Sequence, residues 1–226
     1  MNLQDNNAPK LRQTRSFVRR QGRMTDAQRR AIDTLWSRFV VEPPLIADLL
    51  GQSTDDWILE IGFGMGESLL RMAINEPDKH FLGIEVHRPG IGAILASIET
   101  HQVNNIRIAS ADALEILERQ ISDERLSRIQ IYFPDPWPKK RHHKRRLINT
   151  ENGAMMLKKL QPGGELHIAT DWPEYAEHIE AQLSALSGFT LMKDRTRPAH
   201  RPVTKFEQRG QRLGHPIVDL RFVKTA

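Results

Sequence analysis

Four acidic side chains come at or just beyond short apolar runs that are typical of β-strands: Glu60, Glu85, Asp112 and Asp135. Carboxylates accept hydrogen bonds from hydroxyl and amino groups and stabilise positive charge. The carboxyl ends of parallel strands meet at one edge of a sheet, which is where open α/β sheets bind ligands. The spacing therefore predicts a polar ligand site at that edge, with carboxylates from successive strands around it.

The segment Gly62-Phe63-Gly64-Met65-Gly66 separates the first apolar run from a helical stretch and is a candidate ligand loop. Its glycines allow positive φ and close approach of the backbone, and the following helix offers free N–H groups. Glu85 comes 19 residues after Gly66, where an acidic side chain can bind two ribose hydroxyls of NAD or of S-adenosylmethionine. A glycine turn without a ligand is the alternative for a lone cluster.

Two further acids help to choose between these cofactors. Glu60-x-Gly62-x-Gly64-x-Gly66 resembles motif I of class I methyltransferases, where a carboxylate suits a sulfonium and an α-amino group and would repel a pyrophosphate. Asp112 matches the position where these enzymes bind the adenine amino group, although a helix N-cap is an equal alternative. We predict S-adenosyl-L-methionine as the cofactor, with S-adenosyl-L-homocysteine as the product.

Asp135 lies in the segment Phe133-Pro134-Asp135-Pro136-Trp137-Pro138, directly after the fourth apolar run. The flanking prolines restrict its backbone, so the carboxylate is held with little entropy left to lose. Trp137 could stack on a flat substrate, as in the related loops of methyltransferases that act on nitrogen atoms of bases. We predict Asp135 as the catalytic residue; a rigid turn at the end of a strand is the alternative.

Positive charge is concentrated in two segments, 1–30 and 139–146, which each carry a net charge of +6. The chain as a whole carries +5, so the remainder is acidic by 7. Such a distribution indicates a polyanionic partner, nucleic acid first. The run 139–146 follows the Asp135 segment, so phosphate binding is favoured there over a merely solvated surface. Its adjacent histidines diverge and have no acidic neighbour in the run, so we predict no metal site.

The elements that must position these residues alternate between strand and helix. Strands are predicted at 57–61, 81–86, 106–109, 129–133 and 165–169, and helices at about 25–39, 67–75, 90–100, after 113 and 145–160. This alternation predicts an α/β fold of βαβ units, with a mostly parallel twisted sheet and helices on both faces. Together with the resemblance to motif I, it implies the Rossmann-like class I methyltransferase fold. We expect a flexible basic arm at 1–24 and one methyltransferase domain at 25–226.

Composition excludes several classes of protein. The 226 residues include no cysteine, which excludes a disulfide framework and a thiol nucleophile. No apolar run approaches the ~18 residues of a membrane span, and the polar first residues do not resemble a secretory signal. We expect a cytoplasmic monomer with no obligate protein partner and no membrane contact. The alternatives are an NAD-dependent dehydrogenase, another base methyltransferase, or an RNA-binding protein on a decayed methyltransferase fold.

Several segments together closely resemble the bacterial, stand-alone tRNA (guanine-N7-)-methyltransferase family, in the right order over about residues 15–223. They are Arg15 to Thr25, Glu60 to Gly66, Phe133 to Lys139, Ala169-Thr170-Asp171-Trp172 and Thr204-Lys205-Phe206-Glu207. The resemblance implies methyl transfer to N7 of a guanine in the tRNA variable loop. The elements Asp-Pro-Trp-Pro-Lys and Thr-Lys-Phe-Glu are specific to the family, whereas the glycine loop is not.

The resemblance also implies roles for individual residues. Cofactor contacts fall on Glu60, Glu85, Asp112 and Asp135, and Asp135 is also the implied active-site residue. Positions that bind the tRNA substrate are Lys139, Asp171, Thr204, Lys205, Phe206 and Glu207. Positions that interact with RNA are Arg141, His142, His143, Lys144, Arg145 and Arg146. For Asp171 alone a helix N-cap before Trp172 is the alternative, and without the family Thr204 to Glu207 is only a polar loop.

The chemistry of guanine N7 agrees with these acids. N7 carries an in-plane lone pair, so no strong base is needed before methyl transfer. Positive charge develops on the purine, and carboxylates that accept from N1–H and the exocyclic amine stabilise that charge. Asp135, Asp171 and Glu207 are the available acids, and the remaining requirement is alignment of the reacting atoms.

Overall fold

The structure is a computed structural model that describes residues 22–51 and 56–225. Within these residues the helices are α1 (Asp26–Phe39), α2 (Ile46–Gly51), α3 (Glu67–Asn75), α4 (Arg88–His101), α5 (Ala113–Gln120), α6 (Thr150–Lys159), α7 (Pro173–Ser184) and α8 (Lys205–Arg212). The strands are β1 (Trp57–Ile61), β2 (His80–Ile84), β3 (Ile106–Ala109), β4 (Leu126–Tyr132), β5 (Leu160–Thr170), β6 (Phe189–Leu191) and β7 (Val218–Lys224). Short 3₁₀ helices cover Pro43–Leu45 and Lys140–Arg145.

The seven strands form one sheet in the order β3-β2-β1-β4-β5-β7-β6. Strands β1 to β5 pair in parallel, and β7 pairs antiparallel with both β5 and β6. Every residue of β1 is buried, as expected for a central strand covered on both faces. The predicted fold class is confirmed, including the mostly parallel sheet.

Apolar side chains form one cluster on each face of the sheet. One cluster joins the sheet to α2, α5, α6 and α7, and the other joins it to α1, α3 and α4. Alternation along β1 sends Leu59 and Ile61 into the first cluster and Ile58 into the second. Both clusters support the same sheet, so its carboxyl edge is held rigidly from both sides.

Two predicted elements differ clearly from the structure. The predicted helix at 145–160 is a 3₁₀ helix followed by α6, which begins at Thr150 after its N-cap Asn149. The fifth strand, predicted to begin at residue 165, begins at Leu160 and includes Pro162-Gly163-Gly164, where the register to β4 shifts. The sequence analysis did not predict α2, α7, α8, β6 or β7.

The predicted N-terminal arm lies mostly outside the described residues. Its last residues do contact the domain, because Met24 packs on the second apolar cluster and Gly22 lies beside His87. Helix α1 begins one residue after Thr25, whose hydroxyl oxygen accepts from Gln28 N–H in a capping box. Across the described ranges, no helix combines the length and the apolar character that crossing a membrane requires.

Candidate functional site

The glycine loop and Glu85 form one hydrogen-bonded unit at the carboxyl edge of the sheet. Gly64 and Gly66 have φ of +58° and +79°, which a side chain would disfavour. Glu85 Oε2 accepts from Gly64 N–H at 2.9 Å, and Oε1 accepts from the N–H groups of Val86 and His87 at 2.7 and 2.9 Å. Three accepted bonds leave acceptor capacity on a carboxylate, which has about four lone-pair sites. Glu85 therefore fixes the loop and still has room for a ligand hydroxyl.

Asp112 is the N-cap of α5, as one of the two alternatives predicted. Its Oδ1 accepts from Leu114 N–H at 3.0 Å, and the residue is half-buried. The capping role uses one carboxylate oxygen, so Oδ2 is the atom through which Asp112 would accept from a ligand.

Glu60 does not reach the surface of the crevice in this structure. It is 2% exposed and accepts from Gln130 Nε2 at 3.0 Å, on the sheet face that α3 covers. Burial raises the pKa of Glu60 to about 8, against the lowering effect of the Gln130 hydrogen bond. Because side chains alternate along β1, the residue that the sequence assigned to the cofactor points into the packed face of the sheet. Its cofactor contact stays a prediction.

The Asp135 segment has a strained backbone next to an exposed carboxylate. Phe133 and Trp137 adopt φ of +54° and +45°, which non-glycine residues rarely do, and Asp135 between them is exposed. Such conformations cost roughly 1–3 kcal/mol each, cluster at functional sites and persist only where surrounding contacts hold them. Phe133 N–H donates to Ala169 O at 2.8 Å, and Arg146 Nε donates to Pro136 O at 2.9 Å.

The basic run 139–146 divides into residues that face solvent and one that does not. Lys139, Lys140, Arg141 and Lys144 are exposed; His142, His143 and Arg145 are intermediate. Arg145 stacks over the Trp137 ring at 5.1 Å.

Arg146, by contrast, is 3% exposed. Its guanidinium bonds Pro136 O and Glu174 and lies over the Tyr175 ring. The RNA contact of Arg146 stays a prediction; in this structure its side chain connects the Asp135 segment to α7. This structural role depends on the burial of Arg146 next to these partners, which its place in a run of basic residues does not reveal.

The segment Thr204 to Glu207 is the start of a helix and not a polar loop. Thr204 caps α8 by accepting from Glu207 N–H at 3.1 Å, and Lys205 and Phe206 are exposed. Phe206 stacks on Phe133 with ring centroids 6.3 Å apart. Glu207 is buried and bonded to Arg201 at 2.6 Å, so its carboxylate does not face the crevice in this structure.

Asp171 lies beside α8 at the end of β5. The N-cap of α7 is Trp172, so the helix-cap alternative for Asp171 is wrong. The Asp171 Oδ2 atom lies 3.7 Å from His215 Nδ1, and Gly210 packs so closely that a Cβ there would be 3.1 Å from Asp171 Cβ. The structure thus brings Asp135, Asp171 and α8 to the same edge as the glycine loop.

A buried polar network was missed by the sequence analysis. Tyr132 hydroxyl bonds Gln130 Oε1 at 3.1 Å and His167 Nδ1 at 3.2 Å, and His167 Nε2 bonds Asp219 Oδ1 at 2.6 Å. Arg201 donates to both oxygens of Asp219 at 2.7 and 2.8 Å. One signal was available: the alternation of polar and apolar residues around Asp219 is typical of a strand with one polar face.

The same network includes a group with metal-ligand atoms. Glu165, His167 and His200 bring such atoms within 4.8 Å of one another. Both ring nitrogens of His167 have protein partners, and Glu165 pairs with Arg221 at 2.6 Å. These partners account for the placement of His167 and Glu165.

The strand order with its antiparallel β7, together with the glycine loop and Glu85, defines a Rossmann-like class I methyltransferase. Solved structures share this fold. The 16S rRNA methyltransferase KamB aligns with a TM-score of 0.58 and 15% identity, covering 79% of this chain and 92% of that one. An antibiotic-related methyltransferase aligns with a TM-score of 0.57 and 18% identity, covering 82% and 95%.

Sequence relatives define the family more narrowly. Residues 54–220 match a family model described as a putative methyltransferase. A tRNA (guanine-N(7)-)-methyltransferase from Alcanivorax borkumensis is 50% identical over 223 residues, covering 96% of this chain and 93% of the relative. One from Cronobacter sakazakii is 48% identical over 226 residues, covering 96% and 94%. The chain belongs to the tRNA (guanine-N(7)-)-methyltransferase family.

Proposed function

We propose that the chain transfers a methyl group from S-adenosyl-L-methionine to N7 of a guanine in the variable loop of tRNA, forming 7-methylguanosine. The observation that carries the proposal is the meeting of the Glu85-braced glycine loop and the exposed Asp135 at one edge of the sheet, next to a basic run. Family membership supports the same substrate.

The glycine loop fits the cofactor. A Cβ at Gly62 or Gly64 would meet nothing within 4 Å, so the backbone of this loop faces open space that a ligand can occupy. Glu85 would accept from ribose hydroxyls and Asp112 from the adenine amino group. When bound, S-adenosylmethionine supplies an electrophilic methyl group. The chain must then bind it, align it with guanine N7 and stabilise the purine as it becomes cationic.

Asp135 is the acid best placed for the charge on the purine. It is exposed beyond the end of β4, and Phe133 and Trp137, two residues away on either side, are held in strained conformations. A carboxylate held in place before the substrate arrives needs little reorganisation during the reaction. We propose that Asp135 stabilises the cationic purine, while Asp171 and the exposed residues of α8 help to position the base.

The exposed cations of the run 139–146 would bind tRNA phosphates beside this site. Lys139, Lys140, Arg141 and Lys144 are exposed in and next to the 3₁₀ helix that follows the Asp135 segment. Within residues 22–51 and 56–225, none of the four forms an ion pair with a carboxylate. Their charge therefore remains available to an external polyanion. Lys139 would contact the tRNA nearest to the methylated base.

The test is to incubate the protein with labelled S-adenosylmethionine and bulk tRNA and to look for 7-methylguanosine after nuclease digestion. Asp135→Ala should lower single-turnover methyl transfer by ~10²-fold or more, because one preorganised electrostatic partner is lost. Asp78→Ala is the matched control, since Asp78 is an exposed acid in the turn between α3 and β2, at the opposite end of the sheet.

The outcomes separate the alternatives. Label in another nucleoside would show a different base methyltransferase. Tight tRNA binding without any methyl transfer would favour an RNA-binding protein on a decayed fold. If Asp135→Ala is as active as Asp78→Ala, the active site has been misplaced. Asp135→Asn tests the charge itself, because it keeps the shape of the side chain; full activity would make Asp135 a positioning group only.

A further inference from the structure

Helix α8 lies across the carboxyl edge of the sheet and contacts three loops of the site. Lys205 Nζ lies 3.3 Å from Glu67 Oε2 at the start of α3. Phe206 stacks on Phe133, and Gly210 packs on Asp171. The position of α8 therefore affects the geometry of the glycine loop, the Asp135 segment and the Asp171 segment together.

Little within α8 itself can hold it there. The helix has eight residues, KFEQRGQR, and only Glu207 and Gly210 are buried. Isolated helices shorter than ~12 residues are marginal in water, so most of their stability comes from tertiary packing. The buried side chain through which α8 is attached to the rest of the protein is a carboxylate, which must be paired to be stable in the interior.

Arg201 pairs that carboxylate with the sheet. Its side chain is 0% exposed, and Nη1 donates to Glu207 Oε2 at 2.6 Å. Nε and Nη2 donate to the two oxygens of Asp219 on β7, at 2.7 and 2.8 Å. Asp219 is also bonded to His167 on β5. The guanidinium thus connects α8 to two strands in a planar, bidentate geometry that lysine cannot reproduce.

We infer that Glu207, Arg201 and Asp219 are an anchor that positions α8, and that Glu207 serves the tRNA substrate through this anchor without touching the guanine. Both carboxylate oxygens of Glu207 face arginines: Oε2 bonds Arg201, and Oε1 lies 3.7 Å from Arg197 Nε. The residues that α8 presents to tRNA are then Lys205 and Phe206. Arg201 is a positioning residue. The inference rests on the proposed function for its substrate.

The experiment is a double-mutant cycle with Arg201→Lys, Glu207→Gln and the combined variant, assayed by single-turnover formation of 7-methylguanosine at saturating substrates. Arg221→Lys is the control, because Arg221 makes a similar carboxylate pair, with Glu165, on the same face of β7. Each anchor variant should slow methyl transfer by about 10- to 100-fold, the scale of a small misplacement at a reacting centre. Arg221→Lys should stay within about twofold of the parent. The combined variant should be about as slow as the slower single variant, because both substitutions break one unit.

A modified tRNA distinguishes anchoring from direct contact. Inosine at the methylated position keeps N7 but lacks the exocyclic amine that a carboxylate would accept from. If Glu207 is an anchor, the ratio of the rates on guanosine and inosine tRNA is the same for the parent and for Glu207→Gln. A rate ratio that falls to about one in Glu207→Gln overturns the inference. Two other results overturn it as well: a rate for Arg201→Lys equal to that of Arg221→Lys, and a rate reduction in the combined variant equal to the product of the two single reductions.

Two further measurements keep the test decisive. If Arg201→Lys does not fold, Asp219→Asn takes its place in the cycle. This substitution keeps the shape of the side chain but removes its negative charge and one of the two oxygens that accept from Arg201. Urea unfolding of the same variants measures the coupling between Arg201 and Glu207 without any substrate. An absence of 7-methylguanosine with the parent protein counts against the proposed function alone, whereas zero coupling in unfolding overturns the anchor.

Discussion

Arg146→Ala tests whether a residue of the basic run acts on the protein or on the RNA. In the structure its guanidinium donates to Pro136 O at 2.9 Å and to Glu174 Oε1 at 3.1 Å, and it lies 5.0 Å from the centre of the Tyr175 ring. We expect its loss to loosen the Asp135 segment and to leave the exposed cations of the run in place.

The magnitude follows from these contacts. A hydrogen bond from a charged donor contributes about 1.5–3 kcal/mol, and the contact with the ring adds about 0.5–2 kcal/mol. The ion pair adds little, since the Glu174 side chain is 57% exposed. The free energy of unfolding should therefore fall by about 2–5 kcal/mol, which for a domain of this size lowers the thermal midpoint by roughly 4–20 °C.

Three assays on the folded variant complete the test. The control is Arg141→Ala, which removes an exposed cation from the same basic segment. Single-turnover methyl transfer by Arg146→Ala should fall by about 10- to 100-fold. Its affinity for tRNA should fall less than that of Arg141→Ala, and the salt dependence of binding should not change. The reasoning is refuted if Arg146→Ala keeps the parent's thermal midpoint and loses about one unit of salt slope, as expected for a lost phosphate contact.

Three other outcomes are expected. Glu85→Ala should weaken S-adenosylhomocysteine binding by roughly 1–3 kcal/mol, because ligand hydroxyls and Gly64 N–H lose their acceptor; an unchanged dissociation constant in calorimetry would contradict this. Replacing Arg141, Lys144 and Arg145 together with alanine should weaken tRNA binding for all sequences and lower the salt slope by ~1 per lost phosphate contact; an unmoved slope would show a merely solvated surface. Burial raises the pKa of the Glu60 carboxyl group from 4.5 to about 8. The folded state therefore binds the carboxyl proton more tightly than the unfolded chain does. The stability that comes from this protonation is lost as the pH rises from 4.5 to about 8. The thermal midpoint of Glu60→Gln should therefore rise relative to that of the parent as the pH increases across this range. A difference between the two midpoints that does not change with pH would rule this out.

Much of the site could be predicted from local sequence. The glycine loop, Glu85 and the Pro-Asp-Pro-Trp segment each carry their signal within a few residues, because positive φ and proline restriction are properties of the local chain. The alternation of apolar strands and helices predicted β1 to β5 in the same way. The sequence also correctly gave a helix N-cap as one alternative for Asp112.

The roles of buried charges could not be predicted in this way. Arg146 stands in an unbroken run of basic residues, and only its contacts with Pro136 and Glu174 distinguish it from its exposed neighbours. Arg201 carried no sequence signal at all, since its partners Glu207 and Asp219 lie on different elements. A charge within a polar segment looks the same whether it meets water or a buried partner.

The sequence by itself determined the order of the elements, the ligand loop and the acids at the strand ends, because these depend on interactions between neighbours along the chain. Only the tertiary structure decided which charges are buried, where β7 inserts between β5 and β6, and how α8 is attached. The physical reason is that desolvation and pairing are set by residues distant in the chain: Glu207 is buried against Arg201, whose charge compensates for its lost water, whereas Glu60 is buried against the neutral Gln130 and its pKa is raised.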